Sequence, residues 1–135
     1  MKQFDYIIAG GGSAGLTLAF LLLEHESSEK NILIIDKDDK SVNDRTWCFW
    51  EKEVNLFENL VHNQWAKASF SSPSFKNIFD IQPYSYKMIR GKDFYDFMKL
   101  ELKKFKNLTW VTEKITQISS DGIVKTSTEN YKGGF

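Results

Sequence analysis

An α/β fold built around a parallel sheet is predicted by three features of this chain. A short apolar run, Phe4 to Ala9, leads into Gly10-Gly11-Gly12-Ser13-Ala14-Gly15. A strongly apolar helical segment follows the glycines. A second apolar run, Asn31 to Ile35, then ends at Asp36. Strand, glycine turn, helix and strand in this order form a βαβ unit, whose parallel strands are covered on both faces and so read as unbroken apolar runs.

Each element has its own warrant. Phe4 to Ala9 is read as one buried strand. Ser13 to about Glu26 is a helix with Leu16, Ala19, Phe20 and Leu23 at helical spacing. Leu18, Leu21 and Leu22 make it apolar on nearly every side, so it is expected to be buried against a sheet. Ser27 to Lys30 is a polar loop, and Asn31 to Ile35 is the second strand. Lys37 to Asn43, with Asp38, Asp39 and Lys40, is read as an exposed charged loop. Val54 to His62 carries a short helical pattern. From Trp65 to Lys87 the spacing is strand-like, most clearly at Tyr84 to Ile89. Gly91 to Lys106 returns to helix, with Phe94, Phe97, Met98, Leu102 and Phe105 in one stripe. Leu108 to Thr112 is a third parallel strand. Ile115 to Ile118 and Ile123 to Thr126 flank Ser119-Ser120-Asp121-Gly122, the pattern of a β-hairpin. Tyr131 to Phe135 begins another strand-like run and stops, which reads as a truncation.

The bulk composition excludes several classes. Apolar residues are 41% and charged residues 27% of the 135, an ordinary globular balance. Lysine plus arginine equals aspartate plus glutamate at 18 each, so no basic surface points to nucleic acid. Cys48 is the single cysteine; a reducing, cytoplasmic compartment is expected, with Cys48 a small buried residue. The apolar run Leu16 to Leu23 is far shorter than the ~20 residues of a bilayer span. No His, Cys and Asp spacing suggests a metal site. Most of the aromatics between Trp47 and Trp110 are expected to fill a core.

The glycine turn carries the chemistry. A diphosphate must come close to backbone N–H groups, and a β-carbon in the way would block it. Gly10 permits the tight turn, Gly12 lets phosphates approach, and Gly15 lets helix and strand pack closely. Ser13 and Ala14 open the helix, where unpaired amides and the helix dipole favour an anion. Asp36 ends the second strand about 20 residues beyond Gly15, where a carboxylate accepts hydrogen bonds from an adenosine ribose. The pattern suits NAD and FAD alike, and the acid disfavours a 2′-phosphate.

After this unit comes Asn43-Asp44-Arg45-Thr46-Trp47-Cys48-Phe49-Trp50. The order DYIIAGGGSAGLTLAFLLL, ILIIDK, NDRTWCFW resembles the opening of the bacterial-type lycopene β-cyclases, and PYSYKMIRGKDFYDF at Pro83 to Phe97 is a softer match. The resemblance implies a Rossmann-like, glutathione-reductase-type FAD-binding fold in three layers, a parallel sheet plus a β-hairpin. Residues 1–135 are then the N-terminal part of an FAD-binding domain, with about 65–89 giving strands to a substrate-domain sheet and the remainder of the enzyme beyond Phe135. Gly10, Gly12, Ser13, Ala14, Gly15, Asp36 and Lys37 match its cofactor contacts. Arg45 can reach the cofactor or orient the loop over it, or form an ion pair with Asp44 or Glu51. Trp47, Phe49 and Trp50 can face flavin or a polyene, or pack in the core.

The reaction so implied is a non-redox isomerisation. A carboxylic acid protonates the ψ-end of lycopene, a neighbouring double bond closes the ring on the cation, and proton loss leaves a β-ring. Reduced FAD is the active form, with NAD(P)H as its reductant; one opposite charge at 4 Å is worth about 4 kcal/mol at an effective dielectric of 20. No catalytic residue is assigned within this chain, and Glu51 is read as a helix-start or surface acid. The resemblance implies a carotenoid partner and peripheral contact of the full enzyme with the cytoplasmic membrane. Open strand edges imply self-association of the fragment, which alone is expected to be inactive. The residues leave two other readings open: a flavin-dependent monooxygenase or dehydrogenase, and a stand-alone dinucleotide-binding module.

Overall fold

A computed structural model describes residues 1–25 and 29–134. In chain order the elements are β1 (Lys2–Phe4), β2 (Tyr6–Ala9), α1 (Ser13–His25), β3 (Ile32–Asp36), β4 (Thr46–Glu51) and a 3-10 turn at Glu58–Leu60. There follow β5 (Val61–Trp65), β6 (Lys67–Ser72), β7 (Phe75–Asp80), β8 (Ser85–Arg90) and α2 (Gly91–Leu102). The last four are β9 (Leu108–Thr112), β10 (Ile115–Ile118), β11 (Ile123–Thr126) and β12 (Asn130–Gly133). The chain divides into two compact units, Met1–Ser41 with Tyr95–Phe135, and Val42–Phe94.

The first unit holds the predicted βαβ core. β2, β3 and β9 form a parallel sheet with β3 in the centre, Tyr6 opposite Ile32 and Ile32 opposite Leu108. Leu33 and Ile35 bury one face of it against Val124 and Tyr131, with Phe4, Ile7, Val111 and Ile115 around them. Phe4, Ile115, Val124 and Tyr131 lie on a second sheet, ordered β1, β12, β11, β10, while Ile7 and Val111 belong to the parallel sheet itself. The pleat sends Ile32 and Ile34 to the opposite side. α1 packs on β2 and β3 through its buried Leu16, Ala19, Phe20 and Leu23. Helix, parallel sheet and hairpin-bearing sheet are thus three layers, the α/β architecture read from the sequence. The hairpin of β10 and β11 turns at Gly122, whose φ of +81° a side chain rarely adopts.

In the second unit β8 is the centre of an antiparallel sheet, flanked by β4 and β5. β6 and β7 form a separate hairpin.

Several expectations need correction. The strand expected over Phe4 to Ala9 breaks at Asp5, whose carboxylate accepts the Asn31 amide at 2.8 Å. β1 therefore pairs with β12 and β2 with β3. The helix expected over Val54 to His62 shrinks to the 3-10 turn, because Val61 to Trp65 pair with β8. α1 is not buried all round: Leu18 is 50% and Leu21 40% exposed. The aromatics between Trp47 and Trp110 do not mostly fill a core. Only Phe94 and Tyr95 are fully buried among them, since β5, β6 and β7 are too thinly covered to enclose their rings. Cys48 is exposed, not buried, on the β4 face that also carries Trp50. The helix expected to reach Lys106 ends at Leu102. The polar loop expected at Ser27 to Lys30 and the end of the first helix at Glu26 lie partly outside the described residues, as does Phe135.

Candidate functional site

The parallel register brings the C-terminal tips of β2 and β3 side by side, and the glycine turn leaves from the first of them. Gly10 adopts φ +113°, and its amide donates to the Ile35 carbonyl at 2.8 Å. That bond folds the turn over towards Asp36. The Gly11 N–H then donates to Asp36 Oδ2 at 2.6 Å. A β-carbon on Gly11 would meet Asp36 Cβ at 3.4 Å and a Trp110 ring carbon at 3.3 Å. Gly11 is a site residue that the sequence pattern did not single out; its place in the middle of three consecutive glycines was its signal.

Gly12 and Gly15 differ in kind. A β-carbon on Gly12 would meet nothing within 4 Å, whereas one on Gly15 would lie 2.0 Å from the Gly10 carbonyl oxygen. Gly15 is therefore required by the fold, while Gly12 borders open space. Leu16 makes the first intrahelical bond, from its amide to the Gly12 carbonyl at 3.0 Å. The amides of Ser13, Ala14 and Gly15 precede it and have no acceptor within the helix. Open space beside Gly12, under the positive end of α1, fits an anionic diphosphate.

Asp36 is held on both oxygens. Oδ1 accepts the Asp38 amide at 2.8 Å and lies 3.1 Å from Lys40 Nζ, while Oδ2 faces Gly11. Partial burial pushes the carboxyl up, but the Asp38 and Gly11 amides and the Lys40 ammonium outweigh it and hold it below the usual carboxylate range. Lys40 corrects the sequence reading of Lys37 to Asn43 as a wholly exposed loop. It is only 8% exposed, with φ +57°, and its ammonium lies 5.6 Å from the centroid of the Tyr95 ring. No periodic signal marks a buried lysine within a charged run. Asp38, Asp39 and Lys37 are exposed, as loop charges should be.

The NDRTWCFW run belongs to the second unit. Asn43 Oδ1 accepts the Lys92 amide at 3.1 Å, and the Arg45 carbonyl accepts the Gly91 amide at 2.7 Å, so Asn43 and Arg45 satisfy the first amides of α2. The Arg45 side chain is 70% exposed, with Nε 3.9 Å from Asp44. Thr46 onwards is strand β4, where Trp47 and Phe49 share one face and Cys48 and Trp50 the other. Trp47 packs edge-on against Phe94, as does Phe57. Glu51 is not the surface or helix-start acid expected: it accepts a bond from Lys87 Nζ at 2.9 Å, and Glu58 is the second partner of that ammonium. Glu58 first, then Glu51, hold the Lys87 ammonium above the usual lysine value. A lysine so nearly enclosed requires such pairing. Among the described residues no group of three His, Cys, Asp or Glu side chains is placed to hold a metal ion.

Comparison with known proteins agrees with this architecture. PqsL, a probable FAD-dependent monooxygenase from Pseudomonas aeruginosa, superposes with TM-score 0.71 at 10% identity, covering 98% of this chain and 41% of that one. For 2-methyl-3-hydroxypyridine-5-carboxylic acid oxygenase the TM-score is 0.69 at 12% identity, covering 98% of this chain and 37% of that one. These likenesses show the fold, the Rossmann-like type of FAD-dependent oxidoreductases. Flavin-containing amine oxidase A of Equus caballus is 39% identical over 56 residues, 42% of this chain and 10% of that protein. The chain thus spans well under half the length of the proteins it matches. The family model described as "Lycopene cyclase protein" matches residues 5–132, the glycine turn, Asp36 and the NDRTWCFW strand included. The chain belongs to the lycopene cyclase protein family.

Proposed function

We propose that this chain binds the adenosine diphosphate half of FAD and is the N-terminal part of an FAD-dependent lycopene cyclase. The observation that carries this is the open glycine turn at the positive end of α1, with Asp36 fixed beside it, in a chain that matches the family across residues 5–132.

The chain's residues divide the work. The amides of Ser13, Ala14 and Gly15 bind the diphosphate, and Gly12 leaves room for it. Asp36 accepts from the ribose, and Lys37, exposed just past the strand, adds a cation at the rim. Arg45, in the second unit, has its guanidinium in solvent, 3.9 Å from Asp44. When bound in reduced form, flavin supplies negative charge that stabilises a developing carbocation, with NAD(P)H as its source of electrons. The reaction is ring closure of the ψ-ends of lycopene to β-rings without net oxidation, and no residue of this chain is given the proton-donating role. Among the described residues no helix is long and apolar enough to cross a membrane. In this reading the whole protein reaches its carotenoid by peripheral contact with the membrane.

The test is the visible spectrum and the released cofactor of the purified chain, followed by incubation of the whole protein with lycopene and reductant. Bound FAD and cyclised product of unchanged oxidation level are expected. An oxygenated product would establish the monooxygenase reading that the fold neighbours share, and released NAD would point to a dehydrogenase.

A further inference from the structure

We propose that Lys40 is a positioning residue for the adenosine ribose: its enclosed ammonium occupies one edge of the Asp36 carboxylate and leaves a single acceptor facing the glycine turn. This rests on the dinucleotide reading above. Lysine is almost never enclosed without a partner, and Lys40 is one of two enclosed charged side chains among the described residues. Lys87, the other, is paired with two carboxylates of the second unit, whereas Lys40 lies 3.1 Å from Asp36 Oδ1 and 4.0 Å from an oxygen of the more exposed Asp38.

The loop is built to turn Lys40 inwards. Asp38 donates its amide to Asp36 Oδ1 and Ser41 donates its amide to Asp39 Oδ1, two successive side-chain-closed turns. Inside the second of them Lys40 takes the left-handed backbone, φ +57°, that non-glycine residues seldom adopt. Both ends of the residue are then secured. Its carbonyl accepts Lys99 Nζ at 3.1 Å, and its ammonium lies 3.1 Å from Asp36 Oδ1 and 5.6 Å from the Tyr95 ring centroid. A carboxylate oxygen has two lone pairs. On Oδ1 both are taken, by the Asp38 amide and Lys40. On Oδ2, the oxygen that meets the turn, one is taken by the Gly11 amide and one remains. Lys40 thus makes that remaining direction unique; without it, Oδ1 offers a competing acceptor away from the ligand.

The experiment compares ADP with 2′,3′-dideoxy-ADP by calorimetry on the wild-type chain, Lys40→Met and Lys40→Arg, in 0.15 M salt. Lys40→Met is expected to bind ADP about tenfold more weakly, about 1.4 kcal/mol. The dideoxy ligand, having no hydroxyl for Asp36, is expected to change by less than about threefold, and Lys40→Arg to bind ADP within about threefold of wild type. Should Lys40→Met not fold, the same ratio of affinities is read from Lys40→Gln. Unchanged ADP affinity, or equal weakening of both ligands, overturns the proposal, because loop support alone makes no distinction between them. Failure of the wild-type chain to bind either ligand overturns the dinucleotide reading itself.

Discussion

Two glycines three residues apart are predicted to respond to the same substitution in opposite ways. In Gly15→Ala the new β-carbon lies 2.0 Å from the Gly10 carbonyl oxygen and 3.1 Å from Ile8 Cγ2. The obstacle is backbone, so the turn and α1 must separate by about 1 Å before the contact becomes tolerable. Overpacking of this kind costs about 1–3 kcal/mol. For a chain of this length each kcal/mol lowers Tm by roughly 3–4 °C. In Gly12→Ala the β-carbon meets nothing within 4 Å, so the fold is untouched, and the alanine restrains the unfolded chain by about 0.4–1 kcal/mol. The methyl group nevertheless stands where the diphosphate approaches. Gly12→Ala should therefore unfold at the wild-type temperature or slightly above it, yet bind ADP and FAD at least about tenfold more weakly, about 1.4 kcal/mol. Thermal unfolding by circular dichroism and calorimetric titration with ADP supply the two readouts. Wild-type ADP affinity in Gly12→Ala, or an unchanged Tm in Gly15→Ala, would refute the reasoning.

Three further outcomes are expected. Burial, and then the hydrogen bond to Glu113 at 3.0 Å, push the Tyr131 hydroxyl up to about 12. Its folded value exceeds the unfolded one near 10, so this contribution is complete below pH ~10 and is lost as pH rises to ~12, on the order of 3 kcal/mol. Urea titrations across that window should show the loss in wild type and not in Tyr131→Phe; an identical slope in both would exclude this residue as its source. Lys87→Met strands Glu51 and Glu58 against each other and should lower Tm, while adding Glu51→Gln and Glu58→Gln should recover most of the loss. A triple variant no more stable than the single one would show that the ammonium acts through packing. Finally, Phe70, Phe75 and Phe79 share one face of the β6–β7 hairpin and are 60%, 54% and 45% exposed. Sedimentation should show self-association that Phe70→Ser with Phe79→Ser reduces, and an unchanged sedimentation profile would acquit this face.

Local sequence chemistry determined much of this protein: the βαβ order, the hairpin at Gly122, and the glycine turn followed by an acid at the next strand's tip. These were legible because each depends on residues close in sequence, on a period, a turn or a missing β-carbon. Pairing between distant segments was decided by the tertiary structure alone. Asp5 splits one apolar run between two sheets because Asn31 lies across from it. β8 draws Val61 to Trp65 into a strand against their helical spacing. Lys40 is enclosed because Asp36 and Tyr95 meet it from other elements, and no pattern within Lys37 to Asn43 records where those elements lie. A charge in a polar run looks the same whether solvent or a carboxylate awaits it. Only the folded chain supplies that partner, because the enclosure is stabilised by contacts that do not exist until the sheet is assembled.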